Sequence, residues 1–97
     1  MRIEGQTFSE ETVTLDCNEF IKCKFVNCVL EYQGFGTVGL EGCEFEDVNW
    51  TFTGPAANTI KFMTGLYTGA GEGGRKLIEG TFVNIKKGVS PDPGTVQ

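Results

Sequence analysis

Residues 15–50 read LDCNEFIKCKFVNCVLEYQGFGTVGLEGCEFEDVNW, and this stretch decides the fold. Every fifth residue in it is large and apolar: Leu15, Phe20, Phe25, Leu30, Phe35, Leu40, Phe45 and Trp50. Eight such positions in a row fit neither the 3.6-residue period of an α-helix nor the two-residue period of a flat strand. A repeat of this kind fixes the architecture before any local feature is considered.

A second column of mostly small residues lies two positions before each large one: Val13, Asn18, Cys23, Cys28, Gln33, Val38, Cys43 and Val48. A chain that turns a corner every five residues would point both columns inward, with the bulky column on the axis. Gln33 is an exception in this column, because burying its amide costs about 1–3 kcal/mol unless it is hydrogen-bonded. We therefore expect Gln33 either to be bonded in the interior or to face a partner or ligand.

The paired columns resemble the unit of the pentapeptide-repeat proteins, which places Ala or Cys two residues before a central Leu or Phe. The matching units are Cys23-Lys-Phe25, Cys28-Val-Leu30, Val38-Gly-Leu40, Cys43-Glu-Phe45 and Val48-Asn-Trp50. The resemblance covers about 40 of the 97 residues. In that family four units make one square coil, so the resemblance implies a mainly β fold, a short right-handed quadrilateral β-helix of about two coils. The inserted capping α-helix of the predicted fold is not part of the family's repeat and is predicted from the residues that follow it.

The remainder of the chain completes a single domain over residues 1–87. Residues 1–12 could form a leading strand, residues 13–52 carry the five-residue repeats, and Gly54-Pro55 opens a helix predicted over 55–68. Residues 69–76 (GAGEGGRK) are predicted to be a glycine loop, and residues 77–87 a C-terminal strand region. Residues 88–97, with two prolines and little apolar mass, are predicted to be a flexible tail.

The charge and the residue types of the chain argue against several classes of function. A formal charge of −5 and only two arginines argue against nucleic-acid binding, and no apolar run reaches membrane-spanning length. No signal-peptide pattern precedes the repeats, so we expect a cytoplasmic protein that binds no membrane. The chain has no histidine, and the carboxylates of Glu44, Glu46 and Asp47 are expected to form a solvated acidic face. We predict no enzyme activity, no catalytic residues and no cofactor.

The four cysteines favour a structural role. Cys23, Cys28 and Cys43 lie in the small column, where a reduced thiol acts as a small buried apolar group, whereas Cys17 lies outside that column. Their spacing does not match a zinc site, so we predict no metal site, although a disulfide or a metal remains the alternative.

The glycine loop is the one candidate ligand site. Gly71, Gly73 and Gly74 could expose backbone N–H groups beside Arg75 and Lys76, as anion sites do, with Gln33 as a further candidate contact. Arg75 would be the first contact of a phosphate group and Lys76 the second. The alternative is a plain flexible connector.

Three functions follow from these features. The first is a non-enzymatic oligomeric binding and assembly module built on the short β-helix, because so few coils leave apolar ends that favour a homo-oligomer or a protein partner. The second is a small-molecule sponge that sequesters an anionic nucleotide or signalling ligand at an inter-subunit site. The third, suggested by acidic members of the family, is a DNA mimic that inhibits a topoisomerase.

Overall fold

The structure, a computed structural model, describes residues 1–88. Nine strands and then two helices occur in this range: β1 (Arg2–Glu4), β2 (Thr7–Ser9), β3 (Thr12–Thr14), β4 (Glu19–Ile21), β5 (Lys24–Val26), β6 (Val29–Tyr32), β7 (Gly39–Glu41), β8 (Glu44–Glu46), β9 (Asn49–Phe52), α1 (Gly54–Gly69) and α2 (Gly71–Lys87). The contacts divide the chain into two compact units, Met1–Asn58 and Thr59–Gln97. The single domain over residues 1–87 stays a prediction.

The strands form three parallel sheets of three strands each, ordered β1-β4-β7, β2-β5-β8 and β3-β6-β9. Consecutive strands thus belong to different sheets, and the chain visits the three sheets in the same order three times. We call β1–β3, β4–β6 and β7–β9 the first, second and third layers. Each strand hydrogen-bonds to the equivalent strand of the next layer.

The register places the central apolar residue of each strand directly over its counterpart. The three columns are Ile3–Phe20–Leu40, Phe8–Phe25–Phe45 and Val13–Leu30–Trp50. In the middle column the three rings stack nearly parallel, with centroids 5.1 and 5.5 Å apart. The second layer forms the centre of the core, because Phe20, Phe25 and Leu30 are all at most 1% exposed.

The corners between sheets have a common conformation. The residue directly after each of β1, β2, β4, β5, β7 and β8 has a positive φ between 51° and 64°, namely Gly5, Glu10, Lys22, Asn27, Gly42 and Asp47. Each corner N–H of the first two layers donates to the carbonyl that ends the matching strand of the next layer, at 2.8–3.0 Å. The left-handed corner thus turns the chain and joins the layers in one step.

The five-residue period begins earlier than the sequence analysis placed it. Ile3, Phe8 and Val13 are the centres of a first layer, so each sheet has three strands where repeats over 13–52 alone implied two coils. Val13 was assigned to the small column, but it pairs with Leu30. The step from Val13 to Phe20 is seven residues, which is not a multiple of five. Ile3, Phe8 and Val13 are therefore out of phase with the later repeats.

Phe35 is a position in the large apolar column that the structure corrects. It lies in a bend over residues 34–36 between β6 and β7 and is 69% exposed. Gly34 explains the bend, because its φ is +90° and a Cβ there would come within 2.8 Å of the Ala56 nitrogen in the first turn of α1. Gly34 therefore allows a close approach of two backbones.

The prediction for the C-terminal part of the chain is correct for α1 and wrong for α2. The helix predicted over 55–68 is confirmed as Gly54–Gly69, but the strand region over 77–87 is wrong, because α2 covers Gly71–Lys87 and ends at Gly88 in a left-handed cap. The predicted insertion of a helix between strands is therefore wrong, because α1 and α2 both follow β9. The flexible tail over 88–97 lies outside the described residues apart from Gly88. Within residues 1–88, neither helix is long and apolar enough to cross a membrane.

The stacked column predicts unequal effects for two phenylalanines. Phe25→Ala removes a ring that is 0% exposed and contacts Phe8 and Phe45, so we expect a loss of about 3–5 kcal/mol in the free energy of unfolding. Phe35→Ala is the matched control and should change that free energy by less than about 0.5 kcal/mol, because the ring is exposed. Urea titrations followed by circular dichroism measure both, and equal losses would contradict the register described above.

Candidate functional site

The third layer presents an apolar surface, which we call the end face: Leu40, Phe45 and Trp50, the last members of the three columns. These side chains are 40%, 40% and 52% exposed. Phe45 stacks on Phe25 below it and lies 5.1 Å from the Trp50 ring. All three residues are predicted in the interior from the repeat, but the repeat stops at Trp50, and within residues 1–88 no strand follows β9 to form a further layer.

The first layer differs from the third. Its central residues, Ile3 and Phe8, are half-buried, and Val13 is only 8% exposed. The two ends of the stack are therefore unequal, and the larger exposed apolar surface lies at the third layer. Single exposed apolar side chains are common on proteins, whereas adjoining ones mark interaction sites.

Carboxylates flank the end face. Glu41, Glu44, Glu46 and Asp47 lie on β7, on β8 or at the corner after β8, and all four are exposed. Lys24 of the layer below approaches this group, with its Nζ 3.9 Å from Oε2 of Glu46. The predicted acidic face is thus exposed and adjoins an apolar surface. We define these four residues as the acidic rim.

A carboxylate that the sequence analysis did not single out organises the connection between β6 and β7. Oδ1 of Asp16 accepts the N–H of Gln33 at 2.7 Å, and Oδ2 accepts those of Gly34 and Phe35, each at 2.8 Å. Desolvation raises the pKa of Asp16, but the backbone N–H groups of Gln33, Phe35, Gly34 and Gly36 outweigh it and hold the pKa below its ordinary value. In the sequence, the only indication of this contact is its spacing, because the bend follows Asp16 by about twenty residues, or four five-residue repeats.

This anchoring places Gln33 in a structural role through its backbone. Its N–H donates to Asp16 and its carbonyl accepts the N–H of Ala56 at 2.9 Å, while the residue is half-buried. Gln33 belongs to the first unit, whereas Arg75, Lys76 and the three candidate glycines belong to the second.

The predicted glycine loop is wrong, because residues 71–76 form the first turns of α2. Lys76 pairs with Glu72 one turn earlier at 3.6 Å, and both Arg75 and Lys76 are exposed on the helix surface. Gly74 is buried, and a Cβ at this position would overlap the Leu66 carbonyl oxygen. The packing of α2 against the end of α1 therefore requires this glycine, and that requirement outweighs its low helix propensity.

The thiols behave as the sequence analysis expected for the buried members. Cys23 and Cys28 are 1% exposed, and the Cys28 thiol donates to the carbonyl of Val26 at 3.3 Å. Cys43 is half-buried and donates to the carbonyl of Phe20, also at 3.3 Å, whereas Cys17 is exposed. All four are free, and no group of three or more Cys, Asp or Glu within residues 1–88 is arranged to hold a metal ion.

The second unit contains an open apolar groove of about 440 Å³ between α1 and α2. Its apolar walls are Ile60, Met63, Tyr67, Ile78 and Phe82. Thr64 and Thr68 also line it, but their hydroxyls donate to carbonyls of their own helix, at 2.8 and 2.9 Å. Glu79 is the charged lining residue, and its Oε2 accepts the Tyr67 hydroxyl at 3.4 Å. We call this feature the helix groove.

No protein-family model, no curated protein and no solved structure matches this chain.

Asp16 predicts a specific dependence of stability on pH. Asp16→Asn should lower the free energy of unfolding at pH 7, because the amide replaces one acceptor oxygen with a donor that faces backbone N–H groups. Since the folded pKa is depressed, the carboxylate's contribution is full above its unfolded pKa of about 3.9 and is lost as the pH falls through that value toward the folded pKa. The difference between wild type and variant should therefore shrink below about pH 4.

Denaturant titrations from neutral to acidic pH measure this difference. Asp47→Asn is the matched control, because Asp47 is an exposed corner residue at φ 52° and Asn tolerates that conformation well. A gap between wild type and Asp16→Asn that stayed constant with pH would contradict a role for the ionised carboxylate.

Two neighbouring glycines of α2 should respond oppositely to alanine. Gly74→Ala places a methyl against the Leu66 carbonyl and within 2.8 Å of the Ala70 Cβ, and such overpacking costs about 1–3 kcal/mol. Gly73→Ala meets nothing within 4 Å and should stabilise the helix by up to about 1 kcal/mol. Amide hydrogen exchange of α2 separates the two effects, and greater protection in Gly74→Ala would contradict the packing described.

Proposed function

We propose that this chain is a non-enzymatic assembly module: a pentapeptide-repeat β-helix that associates with a second copy through its end face. The observation that carries the proposal is the 40–52% exposure of Leu40, Phe45 and Trp50 at the end of a stack whose middle layer has fully buried central residues. Burying apolar area of this kind is the main favourable term in association. Trp and Phe are also the side chains that most often anchor interfaces.

The order of the strands supports the β-helix. Three sheets are visited in turn by parallel strands, and connections between parallel strands in one sheet are almost always right-handed. A fourth side is supported by bonds between the connections, since the Cys17 N–H donates to the Thr37 carbonyl at 2.9 Å and the Gly39 N–H to the Asn18 carbonyl at 3.0 Å. Three sheets together with these bonds support a quadrilateral coil.

The other two functions have less support. Sequestration of an anionic ligand relied on a loop, but the glycines are helical and Lys76 is paired with Glu72. Inhibition of a topoisomerase by DNA mimicry requires a long acidic rod, whereas three strand layers spaced about 4.8 Å apart span only about 10 Å. The end face therefore favours assembly over both alternatives.

The assembly predicts concentration-dependent association that depends on Trp50. Wild-type protein should sediment as a dimer at micromolar concentration, and Trp50→Ala should raise the dissociation constant about 30-fold, as expected for an anchoring aromatic residue. Phe62→Ala, which removes a ring that is 66% exposed but lies on α1, is the control and should have little effect. A wild-type protein that remains a monomer across the whole concentration range would overturn the proposal.

A further inference from the structure

We infer that the end face of one copy docks into the helix groove of a second copy, with Trp50 as its anchor and the acidic rim beside the cations that flank the groove. The inference rests on the proposed function and names the surface that covers the end face. Its support comes from the charges of the two units, the chemistry of the groove and the positions of its flanking cations.

The two units carry opposite charge. Residues 1–58 hold ten carboxylates and three cations, a formal charge of −7, whereas residues 59–97 hold three carboxylates and five cations, a formal charge of +2. The net −5 of the whole chain conceals this division. Complementary potentials speed encounter and select the partner surface, so the acidic unit of one copy should meet the basic unit of another.

The groove is suited to an apolar anchor. Thr64 and Thr68 have hydroxyls bonded within α1, so neither requires a polar partner from outside. The remaining walls are mostly aliphatic or aromatic, and a volume of about 440 Å³ admits a large side chain. Trp50, 52% exposed, is the largest side chain of the end face. Aromatic anchors in apolar pockets typically dominate the energy of an interface.

Cations lie beside the groove on α2. Ile78, Phe82 and Ile85 recur at i, i+4 and i+7, so they share one face of the helix, and all three are apolar. At 100° per residue, Arg75 and Lys86 lie within about 80° of Ile78, whereas Lys87 lies on the opposite side of the helix. Arg75 and Lys86 can thus reach carboxylates that surround a docked end face, and Lys87 cannot.

Electrostatics argues against two end faces meeting each other. That arrangement would bring two acidic rims, each of four exposed carboxylates, to the border of one interface. Like charges so placed disfavour association. Docking into the groove instead places the acidic rim beside Arg75 and Lys86, with Glu79 as the carboxylate that lines the groove. Each copy carries one end face and one groove, so docking of this kind pairs the two different apolar surfaces of the chain.

Complementation between two variants tests this arrangement. Trp50→Ala damages the end face, and Thr64→Trp fills the groove at an exposed position where helix propensity changes little. Each variant alone should be monomeric at a concentration where wild type is dimeric. An equimolar mixture should form heterodimers, because the intact end face of the Thr64→Trp copy can dock into the intact groove of the Trp50→Ala copy. Sedimentation measures all three, with circular dichroism to verify folding.

A charge reversal provides a second test that leaves the groove unfilled. Lys86→Glu should raise the dissociation constant about fivefold and Lys87→Glu should leave it nearly unchanged, because Lys86 flanks the groove and Lys87 does not. Added salt should weaken the wild-type dimer, since the attraction between rim and cations is screened.

The outcomes separate the inference from the function on which it rests. A Thr64→Trp protein that dimerises like wild type while Trp50→Ala does not, or a dimer that salt strengthens, would overturn docking into the groove but leave association through the end face intact. A monomeric wild type would overturn both. Restored association in the mixture, together with a larger effect of Lys86→Glu than of Lys87→Glu, would support the inference.

Discussion

The left-handed corner is the constraint on which the rest of the structure depends. Three residues of strand, one residue at positive φ and one further residue make up each five-residue step, so the corner sets the period. Four of the six corners are not glycine, and an L-residue in this conformation costs about 1 kcal/mol or more. The corner N–H groups bond to the next layer, which offsets that cost. The stacking of layers and the bending of the chain therefore stabilise each other.

The part of the fold that could be predicted is the part in which this period runs undisturbed. Phe20, Phe25 and Leu30 are buried where the five-residue spacing placed them. The first layer was missed because its step from Val13 to Phe20 is seven residues, so Ile3 and Phe8 fall out of phase with the later repeats. The five-residue period reflects the local geometry of each corner, whereas the length of a connection between layers depends on what that connection packs against.

The helices and the candidate site show the limits of local propensity. Gly71, Gly73 and Gly74 indicate a loop by composition, yet the close approach of Gly74 to Leu66 makes a glycine favourable within a helix. Asp16 gave no signal besides its spacing from the bend, because its partners are backbone groups 17 to 20 residues away. The end face could be identified only once the last layer was known. Contacts distant in sequence decide each of these features.

The inequality of the two ends of the stack has a consequence for growth. A filament formed by adding one stack upon another needs a lower end that accepts the upper end of the next molecule, strand upon strand and ring upon ring. Here Val13 is shielded whereas Trp50 is open, so the two surfaces do not match. The seven-residue connection that follows the first layer therefore disfavours growth into fibres, to which parallel strands with aromatic columns are otherwise prone.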